Sequence, residues 1–576
     1  MQKTNTHVFQ ANDELSGYPL ILQTLLSHRN ITTRHSADNF LVPLYASLSK
    51  PETMHDMKKA VERIALACKE NEHVAIYADY DADGIPGAII MEEVLRALGH
   101  TNTTVYFPHR HDEGYGFHKE AIDELKEKNV TLIVTVDVGI TNLSEVAYAQ
   151  DHGIDCIVTD HHIPLDELPK GYAIVHPKIG DYADPMLCGA GVAYRLAQAL
   201  LDYMRGKVHG VLPPEGWEKW SLDLVAIATI SDMVPLMKEN RVLALYGLRV
   251  LQKTRRPGLV ALFKKEMTDL SNLSEEDISF MITPRINAAS RMSHPKDAYD
   301  LLAARDTSTA LVALEHLNKL NTQRKTLVAQ YIKSAKKKVE EDSKIILVGD
   351  PEWNSGVVGL VAGRLVELYG KTAFVWGKGS GDLLAGSCRS CGDVDLVELM
   401  RTVDHVWERS GGHAEAGGFS VARKNIHTLG KILNDAYLSL EKQDRVSQVR
   451  AQASEHIPEM DLTLSDVDKS TFDIVARMAP FGMGNPKPLF AFRNVTIVAV
   501  KAFGKSGEHL EIRLKDHTTP TARSEKDAFG FFMTEHQFGI RLEPGAKVDL
   551  SGHLDYSTFR GTGRMRIRII HISATA

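Results

Sequence analysis

Apolar runs alternate with amphipathic segments in the first third of the chain. The pattern predicts strands at 74–79, 103–107, 131–136, 155–159 and 172–176, with helices at 86–98, 118–127 and 142–152. Strands that alternate with helices in this way form a parallel α/β sheet. The functional crevice of such a sheet lies beyond the carboxyl ends of its strands. We therefore look for chemistry first in the residues that follow each strand.

The remaining pattern predicts three further regions. Residues 307–343 form one long connecting helix, a second α/β unit begins with strand 344–348 and helix 356–365, and short strands at 495–500, 509–514 and 565–570 form a small β-barrel. We divide the chain into an N-terminal segment (1–50), a first α/β domain (51–245), a helical connector (246–343), a second α/β domain (344–440), a linker (441–457) and a barrel domain (458–576).

Composition narrows the class of protein. The chain has 576 residues, which predicts several domains, and its net charge of −7 excludes a surface that is basic throughout. Its first residues do not resemble a signal peptide, it lacks an apolar run long enough to cross a membrane, and five cysteines suit a reducing compartment. We expect a cytoplasmic monomer without membrane contact. The spacing of Cys388 and Cys391 suits zinc, but a second pair is lacking, so coincidence is favoured.

Acidic and imidazole side chains follow several of the predicted elements. They are Asp79, Asp81 and Asp83 after the first strand, Asp137 after the third, Asp160, His161 and His162 after the fourth, and Asp232 after a helix. Alternating acids on an extended chain project to one side, and their repulsion calls for a cation such as Mg²⁺ or Mn²⁺. One of the first three acids can instead cap the helix that follows. The sequence predicts a metal-dependent hydrolase.

Adjacent histidines on an extended chain point in opposite directions. We therefore expect only one of His161 and His162 to bind metal, while the other faces the substrate or a carboxylate. A lone imidazole among carboxylates suits Mn²⁺ better than Ca²⁺.

An ordered series of motifs resembles those of the DHH phosphoesterase superfamily, and within it those of the bacterial exonucleases specific for single-stranded DNA. The motifs are Asp79–Gly84, Glu113–Gly116, Thr135–Ile140, Asp160–His162, Leu187–Ala193, Ser231–Pro235, Pro284–Ala289, Gly356–Gly359, Gly386–Ser390, Gly411–His413 and Pro480–Pro486. The resemblance implies a DHH domain, an associated DHHA1 domain and a C-terminal OB-fold.

The resemblance also implies site roles. Asp81, Asp83, Asp137, His161 and Asp232 would bind two Mn²⁺ or Mg²⁺ ions, with Asp79 close by. His162 would lie beside the scissile phosphate, and we expect Asp160 to orient the histidines. Two such ions can activate water and stabilise the leaving oxygen of a phosphoryl displacement.

Substrate contacts are expected from side chains in or beside these motifs. Arginine forks match phosphate oxygens, so we select Arg110, Arg285 and Arg389, with Ser387 and Ser390 beside them. His413 is expected to face the cleft, and Tyr115 either stacks on a base or packs in a turn. In the barrel the candidates for holding a single strand, or alternatively for a merely solvated face, are Lys501, Phe503, Lys505, Phe559, Arg560, Arg564, Arg566 and Arg568.

Four positions depart from the family pattern: Pro86, Ser290, Asn354 and Cys388. All proposed metal ligands are retained. The resemblance implies degradation of single-stranded DNA from the 5′ end to mononucleotides in repair and recombination, with a single-strand-binding protein and a RecQ-type helicase as partners. The alternatives are a DHH phosphodiesterase acting on short RNA or cyclic dinucleotides, and a non-catalytic DNA-binding scaffold.

Overall fold

A computed structural model describes most of the chain. The described residues are 13–110, 113–205, 212–340, 342–443, 445–446, 457–504, 507, 509–516, 525–533, 535–557 and 563–575. They contain the strands β1 (His73–Ala78), β2 (Thr103–Tyr106), β3 (Val130–Val136), β4 (Asp155–Thr159), β5 (Ala173–Val175), β6 (Ile346–Asn354), β7 (Ala373–Lys378), β8 (Leu383–Arg389), β9 (Arg409–Gly412), β10 (Ala416–Ala422), β11 (Met460–Asp461), β12 (Phe490–Phe503), β13 (His509–Lys515), β14 (Glu525–Gly530), β15 (Lys547–Ser557) and β16 (Arg564–Ala574).

The helices follow the same order. They are α1 (Leu20–His28), α2 (Arg34–Leu41), α3 (Met57–Glu70), α4 (Gly84–Ala97), α5 (Lys119–Glu127), α6 (Leu143–Asp151), α7 (Gly189–Arg205), α8 (Leu222–Ser231), α9 (Lys238–Leu251), α10 (Pro257–Glu266), α11 (Glu275–Asp277), α12 (Thr283–Met292), α13 (Lys296–Leu302), α14 (Thr307–Ala335), α15 (Ser355–Tyr369), α16 (Leu396–Thr402), α17 (Ile426–Lys442) and α18 (Lys469–Ala476). None of the helices in the described ranges is both long and apolar enough to span a bilayer.

The chain forms two compact units. The larger comprises 48–234 and 239–451, and the smaller comprises 1–47, 235–238 and 452–576. The short segment 235–238 therefore belongs to the smaller unit although both of its neighbours belong to the larger one.

The first sheet of the larger unit is parallel throughout, in the order β2-β1-β3-β4-β5. Its strands are rich in Val and Ile and are buried, as expected when helices cover both faces of a parallel sheet. Helices α5 and α6 pack on one face, and α3, α4 and α7 pack on the other. All five predicted strands and the three helices between them are confirmed.

The second sheet of the larger unit has the order β6-β7-β8-β10-β9. Strands β6 and β7 are parallel, and the remaining pairs are antiparallel. The long connecting helix is present as α14, but its predicted end at 343 is wrong, because it ends at Ala335. The lysines that follow turn away, and Lys338 donates to the carbonyl oxygen of Gly349 at 2.9 Å, which brings the chain into β6.

The smaller unit is a closed barrel with helices packed against it. Strands β12 to β16 pair in the order β12-β13-β14-β16-β15, and β15 pairs again with β12, which closes the barrel. The predicted strands at 495–500, 509–514 and 565–570 all lie within it. Leucines of α1, such as Leu22 and Leu25, share one apolar core with barrel residues such as Phe490. The first described residues of the chain thus belong to the barrel's core.

Candidate metal centre

The acids of the first motif lie in a turn, and the prediction that they alternate along a strand is wrong. Strand β1 ends at Ala78, and the chain bends through Asp79–Asp83 before α4 begins at Gly84. Asp81 Oδ1 accepts hydrogen bonds from the amides of Asp83 (2.7 Å) and Gly84 (3.2 Å), which caps the start of α4. A Cβ atom at Gly84 would lie 2.3 Å from the carbonyl oxygen of Asp79, so only glycine fits this turn.

The first residues of α7 contact both Asp83 and Asp137. The Asp83 carboxylate accepts from the amides of Gly189 (2.6 Å) and Ala190 (2.7 Å). Asp137 follows β3 in the left-handed conformation, with φ of +63°, which an aspartate adopts more readily than most residues. A Cβ atom at Gly189 would lie 2.5 Å from Asp137 Cβ. The Leu187–Ala193 motif therefore leaves space for Asp137.

The chain turns at Asp160–His162 instead of continuing as a strand. Asp160 Oδ1 accepts from the amides of both His161 (2.7 Å) and His162 (3.1 Å), and its Oδ2 accepts from the amide of Ile140 at 2.9 Å. Both imidazoles consequently lie beside Asp137, with their ring centroids 4.6 Å apart. The expectation that adjacent histidines must point apart is wrong here, because Asp160 holds the turn.

Three groups of candidate ligand atoms, each within 4.8 Å of one another, form from these side chains in the described part of the chain. They are Asp79 with Asp81 and Asp137, Asp83 with His161 and Asp232, and Asp137 with His161 and His162. His161 Nε2 lies 3.1 Å from Asp137 Oδ1, 3.6 Å from Asp232 Oδ2 and 3.8 Å from Asp83 Oδ2. Asp137 belongs to two of these groups, the first and the third.

The donor atoms in this cluster fit a divalent cation. Asp79 Oδ1, Asp137 Oδ1 and His161 Nε2 are buried and lack a hydrogen-bond partner, which is costly unless a ligand compensates. Burial first, and then neighbouring carboxylates, raise the pKa values of Asp79 and Asp137, and they raise those of Asp83 to about 7 and Asp232 to about 9. Bound cations relieve both effects.

The two histidines differ in their protonation. Burial, followed by the charge of His162, lowers the pKa of His161 to about 3, which leaves its ring neutral as a metal ligand must be. Burial also acts to lower the pKa of His162, but the hydrogen bond from its Nδ1 to Asp160 Oδ1 (2.8 Å) and the charge of Asp160 outweigh it and raise that pKa to about 9. The contact with Asp160 therefore favours the protonated form of His162.

Tyr115 lies against His162. Its hydroxyl is 3.3 Å from His162 Nδ1, and its side chain is about half exposed. Burial of the hydroxyl and the charge of Asp160 raise the pKa of Tyr115. The structure thus brings Tyr115 to the acid cluster.

A second cluster consists of arginines from separate elements of the larger unit. Burial first, and then the charges of Arg110, Arg324 and Arg389, lower the pKa of Arg291 to about 9. Arg324 Nε is buried without a hydrogen-bond partner, and Arg110 lies 5.0 Å from the ring centroid of Tyr80. Guanidinium forks match phosphate oxygens, so a bound anion would offset the repulsion within this cluster. Sequence reasoning missed Arg291 and Arg324.

The other predicted substrate contacts divide into two sets. Arg389 donates to Ser387 Oγ at 3.1 Å, so these two side chains lie together. Burial first, and then the charge of Arg110, lower the pKa of Arg389. Arg285, by contrast, has its donors occupied by Asn318 (2.8 Å), the carbonyl oxygen of Met281 (2.7 Å) and Glu266 (2.5 Å).

Ser390 and His413 are also engaged in local structure. The Ser390 hydroxyl donates to the carbonyl oxygen of Val394 at 2.7 Å. His413 is exposed in the turn between β9 and β10. The structure brings neither of them, nor Arg285, into the metal-ligand groups.

The departures from the family pattern fit their local surroundings. Pro86 lies in the first turn of α4, and Ser290 is buried in α12. Asn354 Oδ1 caps α15 by accepting from the amide of Gly356 at 2.8 Å. Cys388 is buried in β8, and its burial raises the pKa of its thiol to about 12. Each has a structural explanation without altering the acid cluster.

The barrel carries a cluster of aromatic rings that sequence reasoning missed. Phe531 and Phe532 follow β14 and are 49% and 66% exposed, and both contact His509 with their edges. Phe529, just before them, lies 4.1 Å from the guanidinium of Arg566. Arg564, Arg566 and Arg568 lie on β16 and Lys501 and Phe503 on β12, whereas Lys505, Phe559 and Arg560 lie outside the described residues.

Comparison with known proteins agrees with this geometry. Family models match for the DHH family, N-terminal domain (residues 73–229), the DHHA1 domain (341–438) and the RecJ OB domain (459–571). The parallel sheet with its acid cluster thus defines a DHH-type protein.

Relatives along the whole chain narrow the class. The chain is 34% identical to the single-stranded-DNA-specific exonuclease RecJ of Bacillus subtilis (97% of this chain and 68% of the relative) and 28% identical to that of Haemophilus influenzae (97% of each). The crystal structure of RecJ with Mn²⁺ from Thermus thermophilus superposes with a TM-score of 0.79 at 27% identity, covering 96% of this chain and 76% of the other. The chain belongs to the RecJ family.

Proposed function

We propose that this protein is a metal-dependent exonuclease that hydrolyses single-stranded DNA. The observation that carries the proposal is the buried acid cluster with its unpartnered Asp79, Asp137 and His161 atoms, which lies next to an arginine cluster. Bound cations would compensate the negative charge of the acid cluster, and phosphate oxygens would compensate the positive charge of the arginine cluster. The names of the relatives, and the Mn²⁺ and Mg²⁺ of the Thermus thermophilus structures, support the substrate and the metals.

We assign the residues as follows. Asp79, Asp81 and Asp137 would hold one ion, and Asp83, His161 and Asp232 a second, with Asp137 Oδ1 3.1 Å from His161 Nε2 and so within reach of the second set. Two such ions would activate water and stabilise the leaving oxygen. Asp160 orients both histidines through its three backbone contacts and its bond to His162. His162, which lies 3.8 Å from Asp137, would contact the scissile phosphate.

The family relationship supports attack at the 5′ end, and the arginine cluster would hold the terminal phosphate. The Arg110 guanidinium lies 5.0 Å from the ring centroid of Tyr80, and its charge acts on the Asp79 carboxyl, so a phosphate held by Arg110 would lie near the acid cluster. A fixed terminal phosphate would place the next phosphodiester at the metal centre and release mononucleotides one at a time. We propose Arg110, Arg291, Arg324, Arg389 and Ser387 for this role, with Arg285 as a supporting residue.

The barrel would hold the remainder of the strand. Aromatic rings beside basic residues bind single strands with little sequence preference, and Phe531, Phe532 and the arginines of β16 offer this combination. We propose domains at 51–245 (DHH), 344–440 (DHHA1) and 458–576 (OB), with the N-terminal segment 1–50, the connector 246–343 and the linker 441–457 around them.

A digestion assay with end-labelled strands tests the proposal. With Mn²⁺ or Mg²⁺, 5′-labelled single strands should release labelled mononucleotide at once, and 3′-labelled strands only at the end. Absence of metal-dependent release would contradict the exonuclease, and the scaffold reading would then replace it. Release first from the 3′ end would contradict the polarity, and cleavage restricted to short RNA or cyclic dinucleotides would favour the alternative phosphodiesterase.

The cellular setting follows from this activity. We propose a cytoplasmic monomer in DNA repair and recombination that works with a RecQ-type helicase, which supplies single strands, and with a single-strand-binding protein. The support is the family relationship and the need for unwound substrate. Sedimentation of the purified protein and co-purification with these two partners test the proposal.

A further inference from the structure

The Pro480–Pro486 motif is left without a role by the site described above. It lies in the smaller unit, in the turn that precedes β12. Asn485 is fully buried there, and its side-chain amide donates to the carbonyl oxygens of Met478 (2.8 Å) and Pro480 (2.9 Å). Arg29 donates to Asn485 Oδ1 at 2.6 Å and to Pro486. These hydrogen bonds hold the turn in one conformation.

The surface of this turn is shaped to receive one segment, Pro235–Lys238. The amide of Leu236 donates to the carbonyl oxygen of Met483 at 2.7 Å. A Cβ atom on Gly482 would lie 2.8 Å from Leu236 Cδ1, and one on Gly484 would lie 3.2 Å from both Pro235 and Met237. The two glycines of the motif are thus needed for close contact with this segment, and Leu236 is 2% exposed.

The segment held in this way begins three residues after Asp232. Asp232 ends α8 and belongs to the metal-ligand group with Asp83 and His161. On the other side, the amide of Glu239 donates to Asp184 at 3.0 Å, which fixes the start of α9 within the larger unit. Only Met233 and Val234 separate Asp232 from the held segment, so a displacement of Leu236 can reach Asp232 through a short stretch of chain.

We propose that the Pro480–Pro486 turn is a positioning element for the metal ligand Asp232. By holding Pro235–Met237 it limits where the chain can place Asp232, and it would thereby contribute to the affinity of one metal position. This inference rests on the metal centre proposed above. Residues that orient a ligand from outside its coordination shell typically change metal affinity about 10- to 100-fold when altered.

The test compares Gly482→Ala with Gly545→Ala by Mn²⁺ titration followed by electron paramagnetic resonance. Gly482→Ala introduces the clash with Leu236, whereas Gly545 has a φ of +93° and open space around it, so its substitution strains the barrel backbone without touching Pro235–Lys238. We expect Gly482→Ala to weaken one Mn²⁺ by about tenfold or more and to lower kcat with KM unchanged. Gly545→Ala should bind both ions normally.

A double mutant and an exchange measurement guard against misfolding. Leu236→Ala removes the clashing methyl groups, so Gly482→Ala/Leu236→Ala should recover Mn²⁺ affinity relative to Gly482→Ala. In the wild type, Mn²⁺ should slow amide hydrogen exchange in 480–486, because coupling between two sites is reciprocal.

The outcomes separate this inference from the proposed function. Wild-type protein that binds no Mn²⁺ would overturn the metal centre itself. Normal Mn²⁺ binding in folded Gly482→Ala would overturn only the positioning role. If Gly482→Ala does not fold, unchanged exchange at 480–486 on Mn²⁺ binding to the wild type would overturn it.

Discussion

The acid cluster and the arginine cluster of the larger unit are opposite in sign and differ in exposure, because Asp79, Asp83 and Asp137 are buried whereas the four arginines are partly exposed. Burial and repulsion raise the pKa values of acids such as Asp137 in the first and lower that of Arg291 in the second. Arg256 shows a different arrangement, because it is buried but bonded to both Asp223 and Glu93, and its pKa is raised. A desolvated charge that is paired with an opposite charge is a common structural feature. Several desolvated charges of the same sign at one place instead indicate a site for a ligand of the opposite charge.

The two clusters meet at the first acidic motif, where Arg110 contacts the ring of Tyr80. Tyr80 contacts Arg110 with its ring and separates Asp79 from Asp81 in the chain. A phosphodiester needs cations at the oxygens that react and donors at the oxygens that do not. In the proposed function the two clusters would provide these separately, so each can be disrupted without the other.

The largest effect is expected from Asp137→Asn. Asparagine tolerates the left-handed backbone of this position, so the fold should persist while the bridging carboxylate is lost. We expect kcat/KM to fall by about a thousandfold, because metal stabilisation of the transition state is worth several kcal/mol. Steady-state kinetics on a 5′-labelled strand measures this, and turnover near that of the wild type would refute the assignment.

Arg389→Gln should disrupt the arginine cluster and leave the acid cluster intact. Loss of charge-assisted bonds worth about 1.5–3 kcal/mol would raise KM for a 5′-phosphorylated strand roughly 10- to 150-fold, while Mn²⁺ affinity stays unchanged. Arg285→Gln is the matched control, because its donors are occupied by protein acceptors. It should lower the melting temperature more than it raises KM. Equal KM effects in both variants would count against an anion site at Arg389.

A smaller, substrate-dependent effect is expected in the barrel, away from both clusters. Phe531→Ala/Phe532→Ala should weaken binding of long single strands by about tenfold, since stacking contributes about 1–3 kcal/mol per base. Turnover of very short oligonucleotides should stay the same. Phe280→Ala, which removes an equally exposed ring from the larger unit, is the control. Fluorescence anisotropy with labelled strands of two lengths measures the effect, and equal loss on both lengths would contradict it.

The last expected effect concerns the stability of the metal-free protein and its dependence on pH, with no change in turnover involved. An acid with a raised pKa in the folded state binds more protons than in the unfolded state, so stability falls as pH rises from about 4. The fall should extend to about pH 7 for Asp83 and about pH 9 for Asp232, at no more than about 1.4 kcal/mol per pH unit for each group.

Thermal melts in EDTA across this range check the expectation, with Mn²⁺ reversing the trend. Asp137→Asn removes one of the repelling charges and should flatten the slope. A metal-free melting temperature that rises between pH 5 and pH 9 would show that these carboxylates are not destabilising one another.

The sequence predicted the acid cluster because its members follow regular elements within short motifs. Asp79–Asp83, Asp137 and Asp160–His162 each end a strand of one parallel sheet, so topology alone brings them together. Side-chain direction was less predictable. Asp81 and Asp160 use backbone amides to turn the chain, and hydrogen bonds of that kind leave no periodic signal.

The arginine and aromatic clusters were harder to predict for a different reason. Arg291 and Arg324 come from α12 and α14, whose packing sets their proximity without a fixed spacing in sequence. Phe531 and Phe532 follow the end of β14, where alternation no longer applies. Arg285 lies inside the Pro284–Ala289 motif, and Arg291 lies two residues beyond it. The motif does not tell the two arginines apart, and only the contacts of each guanidinium group do so.

The central claim is that the acid cluster binds two divalent ions. Anomalous diffraction at the manganese edge, on crystals grown with Mn²⁺, tests it directly. The account predicts two peaks, one among Asp79, Asp81 and Asp137 and one among Asp83, His161 and Asp232, with loss of at least one peak in Asp137→Asn. A cluster that contains no manganese under conditions of full activity would contradict it.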